Sequence, residues 1–513
     1  MQKKQTILVV ASLLVVVLSV TLAYFTAQII GKGKNVTINS ADLKIVFTDS
    51  DGSISGTNIE PGKWNVTKTF TIENKSNETY KYNIVIQDLV NTFVTNGYLQ
   101  YKITSTNGGY STDSYVDVPK SGTATDTILA YSASIDVGVT QTYTVEFIYK
   151  NDEDVDQSDD MGKTLSGKLF ITEGTEEPTL LSQILKDNPT RSTRSNNNNG
   201  TNDFATPLTT TTTGTLFTST ESITGITDTP KEVYYYAGNT TNNWVKFANL
   251  YWRIIRTNHD SSIRLLYVGT SHDTTTGNIG ESTFNSSYNS PKYVGYKYGE
   301  DTSLDTIRNN TTDSTIKATI DTWYKNNLTN YTKYLSTSAV YCNDRNEGTG
   351  QTYNYASSSS SQFNFASYYR IDYKRNGAKA NPSYNCTNKR DAFSVDNTSA
   401  KLDYPVSLMT ADEIAFAGGV TDETMNKPYA WFMCNSLGTQ VSSSWWSLSP
   451  MNWFGSFAHV WYWDFDSAYL HDNVVNYSNA VRPVLSLKSC IKYSTGNGTY
   501  NEPYEIKETT SGC

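Results

Sequence analysis

The amino-acid sequence predicts a multidomain, β-rich chain. It has an all-β N-terminal domain of the sandwich or jelly-roll kind, a Thr/Asn-rich linker, and a mixed α+β C-terminal domain. Three observations predict this. The 513 residues are too many for one ordinary domain. Hydrophobic residues make up only 37%, while Tyr occurs 37 times, a mixture with abundant Ser, Thr and Asn that suits strands and turns. Composition also shifts at Glu173 and again near Lys231. The net charge of −9 comes without a basic block, which argues against nucleic acid as a partner.

The N-terminal segment, 1–30, holds two lysines and then no charge until Lys32. Its apolar run from Ile7 to Phe25 is long enough to cross a bilayer. Thr21-Leu22-Ala23 also offers the small residues that a signal peptidase reads. A cleaved signal peptide and a retained anchor both fit. Either one puts the remainder outside the cytoplasm, with membrane contact only through this segment.

From 35 to 172 the text is strand-like. "DLKIVFTD", "WNVTKTFTIEN", "YKYNIVIQDL", "LQYKITST" and "QTYTVEFIYK" are runs of β-formers broken by Gly, Asn, Asp and Pro, the pattern of an all-β sandwich. "LAYFTAQ", "NSADLKIVFTD", "IEPGKWNVTKTFTIENKSNETYKYNIVI" and "VEFIYKNDEDVDQSDDMGKTLSGKLFI" resemble the camelysin and TasA-like family of Gram-positive surface proteins. The resemblance implies a β-sandwich and, for some members, assembly into extracellular matrix fibres. The metalloprotease activity described for camelysin does not carry over, because this block has neither His nor Cys and the chain has no HExxH. The acidic run Asp152-Glu153-Asp154, with Asp156, Asp159 and Asp160, offers oxygen ligands of the kind Ca²⁺ takes. It lacks EF-hand spacing and reads as a solvated loop. No metal and no cofactor are expected.

Residues 173–231 contain an Asn run, a Thr run and several prolines, and read as a linker or stalk. Leu180 to Lys186 is a short amphipathic helix candidate. The segment is too polar to support a core of its own.

The remainder, 232–513, mixes both element types. "NLYWRIIRTNHDSSIRLLYVG" reads as a hairpin turning at Asn258 to Ser261, with Trp252 and Ile254 outbound and Ile263, Leu265 and Tyr267 returning. "STIKATIDTWYKNNL" puts Ile316, Ile320 and Trp323 on one helical face. "TADEIAFAGG" is a short helix with a Thr410/Glu413 capping box, stopped at Gly418. "AVRPVLSL" is a strand with Val481, Leu485 and Leu487 on one side, and Pro483 marks an edge or a bulge. All five cysteines lie in this block. In an exported chain they read as disulfides. The expected pairs are Cys342 with Cys386 and Cys490 with Cys513, leaving Cys434 free, although spacing does not fix the pairing.

"WVKFANLYWRIIR", "RLLYVG", "YCNDR", "PVSLMTADEIAFAGG", "WWSLSP", "VRPVLSLK" and "GNGTYNEPYEI" resemble the C-type-lectin-like domain of uncharacterised bacterial exported proteins. The "WxLSP…VRPVLSL" ending is similar to the variable-protein ends of diversity-generating retroelements, although Ala480 stands where those have Gly. The resemblance implies a recognition surface between the two fixed pieces. The calcium-dependent sugar signatures (EPN or QPD, with WND) are missing.

The stretch from Trp445 to Leu487 gathers five of the ten tryptophans. Trp445, Trp446, Trp461 and Trp463 read as core. In "AHVWYWDFDS" the face of His459, Trp461, Trp463 and Phe465 is the better inward candidate against that of Ala458, Val460, Tyr462, Asp464 and Asp466. The candidate ligand-binding residues are Trp453, Phe454, Phe457, His459, Asp464, Asp466, Tyr469, His471, Asp472, Asn473, Asn476, Tyr477 and Asn479. Tyr and Asn build adaptable binding surfaces at small entropic cost. His459 and His471 near the aspartates also suit a general base or a metal ligand, but ordinary surface roles fit them better. No catalytic residue is assigned, because nucleophile motifs such as GxSxG are absent. Formylglycine-generating enzymes share the lectin-like topology, yet they use a cysteine pair, and only Cys434 is unpaired here.

These readings together predict an exported, adhesin-like cell-surface binding protein with a protein or glycan ligand. The alternative is an extracellular matrix or fibre subunit that self-assembles through its N-terminal domain.

Overall fold

The computed structural model describes residues 26–27, 36–38, 41–47, 53–56, 59–194, 204, 216–355, 362–372, 380–421, 431–433 and 442–513. Two compact units divide the chain, one ending at Glu177 and the other running from Pro178 to Cys513. Both are built mainly from β-strands. No helix among the described residues is long and apolar enough to cross a membrane; residues 1–25, expected to be a signal or anchor, lie outside them.

The first unit has eight main strands: β1 (Ala41–Phe47), β2 (Ser53–Gly56), β3 (Asn65–Asn74), β4 (Tyr80–Asn91), β5 (Leu99–Ser105), β6 (Ser121–Ile135), β7 (Thr140–Tyr149) and β8 (Leu165–Glu173). One sheet runs from the short strand Val36–Ile38 through β1, β3, β7 and β5 to Val116–Asp117. The other runs from Thr26–Ala27 through β8 and β4 to β6, with β2 also on β8. The five expected strand segments lie in β1, β3, β4, β5 and β7. Their alternation decides what faces inward: Phe70 and Ile72 on β3, and Tyr143, Val145 and Phe147 on β7, meet Ile84, Ile86, Leu169 and Ile171 of the other sheet in one core.

The acidic run needs a correction at one position. Asp160 is buried rather than solvated. Its Oδ1 accepts from the Val94 and Thr95 amides at 2.6 and 3.2 Å, and Oδ2 accepts from the Tyr149 hydroxyl at 2.9 Å. Burial raises the Asp160 carboxyl, but these hydrogen bonds outweigh it and hold the group below the usual aspartate range.

The linker reading of 173–231 is overturned wherever that segment is described: residues up to Glu177 belong to the first unit, and the rest joins the second. The second unit's first helix, α1 (Leu180–Asp187), has the expected amphipathic pattern, and Thr179 caps it by accepting from the Ser182 amide at 3.1 Å. Leu180 and Ile184 enter the same core as Trp252 and Leu485. The short strand Ser192–Thr193 follows, and then two longer ones, β9 (Leu216–Ile223) and β10 (Thr227–Tyr236). The segment's polarity misled because it needs no core of its own: it lends a few inward residues to the core of the residues after it. Most of its Asn- and Thr-rich middle lies outside the described residues.

The large sheet continues with β11 (Trp244–Phe247), β12 (Leu250–Thr257) and β13 (Ile263–Gly269). The β12–β13 hairpin forms as expected, with Thr257 opposite Ile263. A second, smaller sheet is ordered β14 (Glu281–Thr283), β20, β17, β18, β19, where β17 is Trp445–Phe454, β18 is Phe457–Asp464, β19 is Tyr469–Val474 and β20 is Ser478–Ala480. The strand β15 (Gln362–Asn364) also pairs with β17. Helix α2 (Thr315–Asn327) buries Ile316, Ile320 and Tyr324, with Trp323 only half-buried beside Tyr267 at 5.3 Å. Helix α3 (Ala366–Ile371) follows β15.

Strand β16 (Val406–Leu408) pairs with β21 (Pro483–Leu487), and β21 also pairs with β13. Pro483 therefore lies in an interior strand, not at an edge or a bulge. It is the first residue of the strand, where a missing N–H costs no ladder bond.

Helix α4 (Ala411–Phe416) carries the expected capping box. Glu413 N donates to Thr410 Oγ1 at 3.0 Å, and Thr410 N donates to Glu413 Oε2 at 2.9 Å. The other oxygen of Glu413 accepts from Arg256 Nε at 2.8 Å and from Arg264 Nη1. Arg256 Nη2 donates in turn to Glu221 Oε1 on β9 at 2.9 Å. All four side chains are buried. Burial raises the Glu221 carboxyl, but Arg256 and His259 outweigh it and hold it at about 2. Both expected disulfides are present, Cys342–Cys386 with Cα atoms 5.8 Å apart and Cys490–Cys513 at 5.5 Å. Cys434 lies outside the described residues.

Replacing Glu413 by Ala leaves the buried Arg264 guanidinium without a carboxylate and Arg256 with Glu221 alone. Urea unfolding of the intact chain should show a loss of about 3–5 kcal/mol. A second expectation concerns acid. Glu221 is ionised more readily folded than unfolded, so its contribution is full above its ordinary value of 4.5 and disappears as pH falls through about 2. Thermal unfolding measured from pH 7 to pH 2 should show this acid-dependent loss, and Glu221→Gln should remove that component of it.

Candidate functional site

The β17–β18 hairpin turns in two residues, Gly455 and Ser456, with φ of +59° and +78°. Positive φ at both central positions is the type I′ turn, whose twist matches the flanking strands. The turn sets the register Phe454 opposite Phe457, Trp453 opposite Ala458, and Asn452 opposite His459. On the other side of β17, β15 places Gln362 opposite Phe454, Phe363 opposite Trp453, and Asn364 opposite Asn452. Directly opposed residues share a face, so the three strands carry alternating rows. The row Phe363, Trp453 and Ala458 is fully buried.

The other face carries the row Gln362, Phe454, Phe457 at the tip and the row Asn364, Asn452, His459 behind it. Phe454 is 52% exposed and Phe457 42%. Tyr288 stacks on Phe457, with ring centroids 5.3 Å apart and planes 13° from parallel. Its carbonyl accepts from the Ala458 amide at 2.9 Å, which holds it against the strand. His459 Nδ1 lies 2.6 Å from Asp472 Oδ2 of β19. Asn364 and Asn452 are 5% and 7% exposed, and among the described residues the Oδ1 atom of each has no hydrogen-bond partner.

Further along β18 the inward face changes. Ala458 and Val460 are buried, and so are Trp461 and Trp463, although simple alternation puts these pairs on opposite faces. The pairing shifts from Trp446–Tyr462 to Pro450–Val460 and again to Asn452–His459. Such an irregularity bends a strand and re-aims its side chains. Trp461 Nε1 donates to Ser367 Oγ on α3 at 3.1 Å, and Trp463 packs edge-on to Phe432 at 5.0 Å. His459, expected to face inward with them, is only half-buried.

A second group lies at the far end of β18. Tyr462 and Asp464 oppose His471 and Tyr469, and the His471 ring is 6.1 Å from Tyr462 and 5.7 Å from Tyr469. Burial, then the carboxylates of Asp464 and Asp472, push the Tyr462 hydroxyl far above its usual range. Asp466 is exposed beside this group.

The thirteen candidate residues therefore separate. Phe454 and Phe457 lie at the hairpin tip, and His459 pairs with Asp472 in the row behind it. Asp464, Tyr469 and His471 form the second group. Asn473 opposes Val460, and Asn476 and Tyr477 are exposed between β19 and β20. Two expectations are corrected. Trp453 is core because its row faces inward, and Asn479 is buried in β20 opposite Ser282. Tyr288, Gln362, Asn364 and Asn452 were not foreseen. Asn452 was legible, since it alternates with Trp453 as Phe454 does. The other three come from distant segments that only strand pairing brings close.

Asp313, Asp321 and Asp403 lie within metal-ligating reach of one another. The buried Lys317 ammonium already sits among them, at 3.1, 2.6 and 2.8 Å. A polar cavity of about 20 Å³, lined by Arg256, Arg264, Arg370, Tyr384 and Cys342 among others, has room for about one water. No family model, curated protein or solved structure matches the chain.

Trp453→Ala should cost about 3–5 kcal/mol as a large core truncation. Phe454→Ala and Phe457→Ala, on the exposed face, should each stay within about 0.5 kcal/mol. Urea denaturation of the intact variants separates the two classes.

Proposed function

We propose that this chain is an exported bacterial cell-surface binding protein, adhesin-like, which recognises a protein or glycan ligand through its second unit. The observation that carries the reading is the outward row of Phe454, Phe457 and Tyr288 beside a polar row. Rings held in water by a tight hairpin give up a favourable burial of about 25 cal/mol per Å² of apolar area, and contiguous exposed apolar patches mark interaction sites. The signal- or anchor-like N-terminus and the two disulfides support a place outside the cytoplasm. The camelysin/TasA-like resemblance of the first unit, with its β-sandwich, and the C-type-lectin-like resemblance of the second belong to this same proposal. The reading is of recognition, not catalysis.

A fibre or matrix subunit is the second reading. It is favoured by β6, fifteen residues long at a sheet edge with its first half exposed, since such edges template pairing with further chains. Sedimentation velocity of the intact chain distinguishes it by concentration-dependent growth of large polymers.

For the binding reading, the intact chain is screened against glycan and protein arrays. The double variant Phe454→Ala/Phe457→Ala should lose at least about tenfold in affinity for whatever is captured, as expected when central aromatic anchors are removed. Unchanged capture by that folded variant would place the binding surface elsewhere.

A further inference from the structure

We infer that recognition at the hairpin face is regulated by pH, with His459 as the sensing group: its neutral imidazole accepts a hydrogen bond from the occupant, and protonation abolishes that contact. The inference rests on the reading of this face as a binding surface and adds the regulation of that surface.

The tautomer of His459 carries it. His459 Nδ1 lies 2.6 Å from Asp472 Oδ2. An ionised carboxylate only accepts, so the proton of the neutral ring sits on Nδ1 and Nε2 keeps its lone pair. Among the described residues Nε2 makes no hydrogen bond, and it is not sealed from solvent, the side chain being 15% exposed. In this it differs from the amide oxygens of Asn364 and Asn452 in the same row, which are sealed. His459 is two residues from Phe457 on β18, so the two side chains share a face. An occupant seated on the rings therefore meets Nε2 as an acceptor for a hydroxyl or an N–H.

A neutral Nε2 accepts and a protonated one donates, and imidazoles change charge between about pH 5 and 8. On protonation the donor of the occupant faces a second donor, and the contact is lost. Asp472 partners the new charge, so the ring keeps its place. The other groups around it are few. The strand β19 supplies His471, whose Nδ1 is 2.8 Å from the Asp472 carbonyl and 3.5 Å from Asp472 Oδ1. The strand β17 presents Asn452, Trp453 and Phe454 near His459, none of which titrates. The turn Pro291–Val294, packed on β18, supplies Lys292 and Tyr293, and Lys292 Nζ is 3.9 Å from Glu300. Tyr288 lies on Phe457. From Val441 to Val481 there is no Lys or Arg, so His459 and His471 are the side chains of this segment whose ordinary range falls there.

The test uses the intact chain, the glycan and protein arrays read at about pH 7.5 and about pH 5.5, on either side of the imidazole range, and long-range ¹H–¹⁵N NMR of histidine-labelled protein. NMR at the higher pH should show His459 with its proton on Nδ1. Whatever the arrays capture through Phe457 should bind about tenfold more weakly at the lower pH, the effect of one lost hydrogen bond. His459→Gln, confirmed folded by circular dichroism, should lower capture at the higher pH by about tenfold and leave the remainder independent of pH. His471→Gln should keep the pH dependence. A proton on Nε2 of the neutral ring, capture that is stronger at the lower pH, or a pH dependence that survives in His459→Gln overturns the inference. Ring-dependent capture that ignores pH overturns it while leaving the proposed function standing. Capture indifferent to the ring variants, or no capture, ends both.

Discussion

The second unit depends on a buried set of charges centred on Glu413. One carboxylate oxygen closes the capping box of α4, and the other accepts from Arg256 on β12 and Arg264 on β13. Arg256 passes the connection to Glu221 on β9. Charges withdrawn from water persist only when each has a partner, so these four residues constrain one another. The helix cannot shift along the sheet without exposing an arginine to apolar surroundings. The β9 strand cannot leave without removing one of Arg256's two carboxylates. A segment that reads as a tether is thereby fixed as part of the fold.

That constraint bears on the hairpin face, though indirectly. The sheet that carries α4 through β16 and β21 gives the smaller sheet a rigid neighbour: Leu448 N donates to the Met409 carbonyl at 2.9 Å, one residue before the Thr410 cap. On that support β17 can hold Trp453 and Met451 inward and Phe454 outward. The type I′ turn then leaves Phe454 and Phe457 little choice. Strand pleating commits alternate residues to opposite faces, and the inward row is already filled by Phe363, Trp453 and Ala458. The exposed rings are the counterpart of a well-packed interior row.

Part of the fold was legible in the residues alone. Alternation identified five strands of the first unit and the β12–β13 hairpin, because a period of two is a local property. The Thr410–Glu413 spacing identified a helix start for the same reason. The disulfides match the expected pairs, although spacing alone did not fix them. Of the site, Phe454, Phe457, His459 and Asp472 were recognised, and the first three lie in the run that forms the hairpin. Trp453 was misassigned among them because one residue's shift in phase moves a side chain to the other face. In the same strand pair, the irregularity at Pro450 brought Ala458 and Val460 into the interior alongside Trp461 and Trp463.

What the sequence determined by itself was local: element type, turn chemistry, cap, charge balance and the concentration of rings near the end of the chain. Tertiary structure alone decided which face of each strand met the core, that Glu221 and Leu180 belonged to a distant interior, that Asn364 stood opposite Asn452, and that Tyr288 stacked on Phe457. The physical reason is that burial and pairing are properties of two segments at once. A residue's own neighbours in sequence carry the period, but the partner that fills or vacates its face arrives from tens or hundreds of positions away.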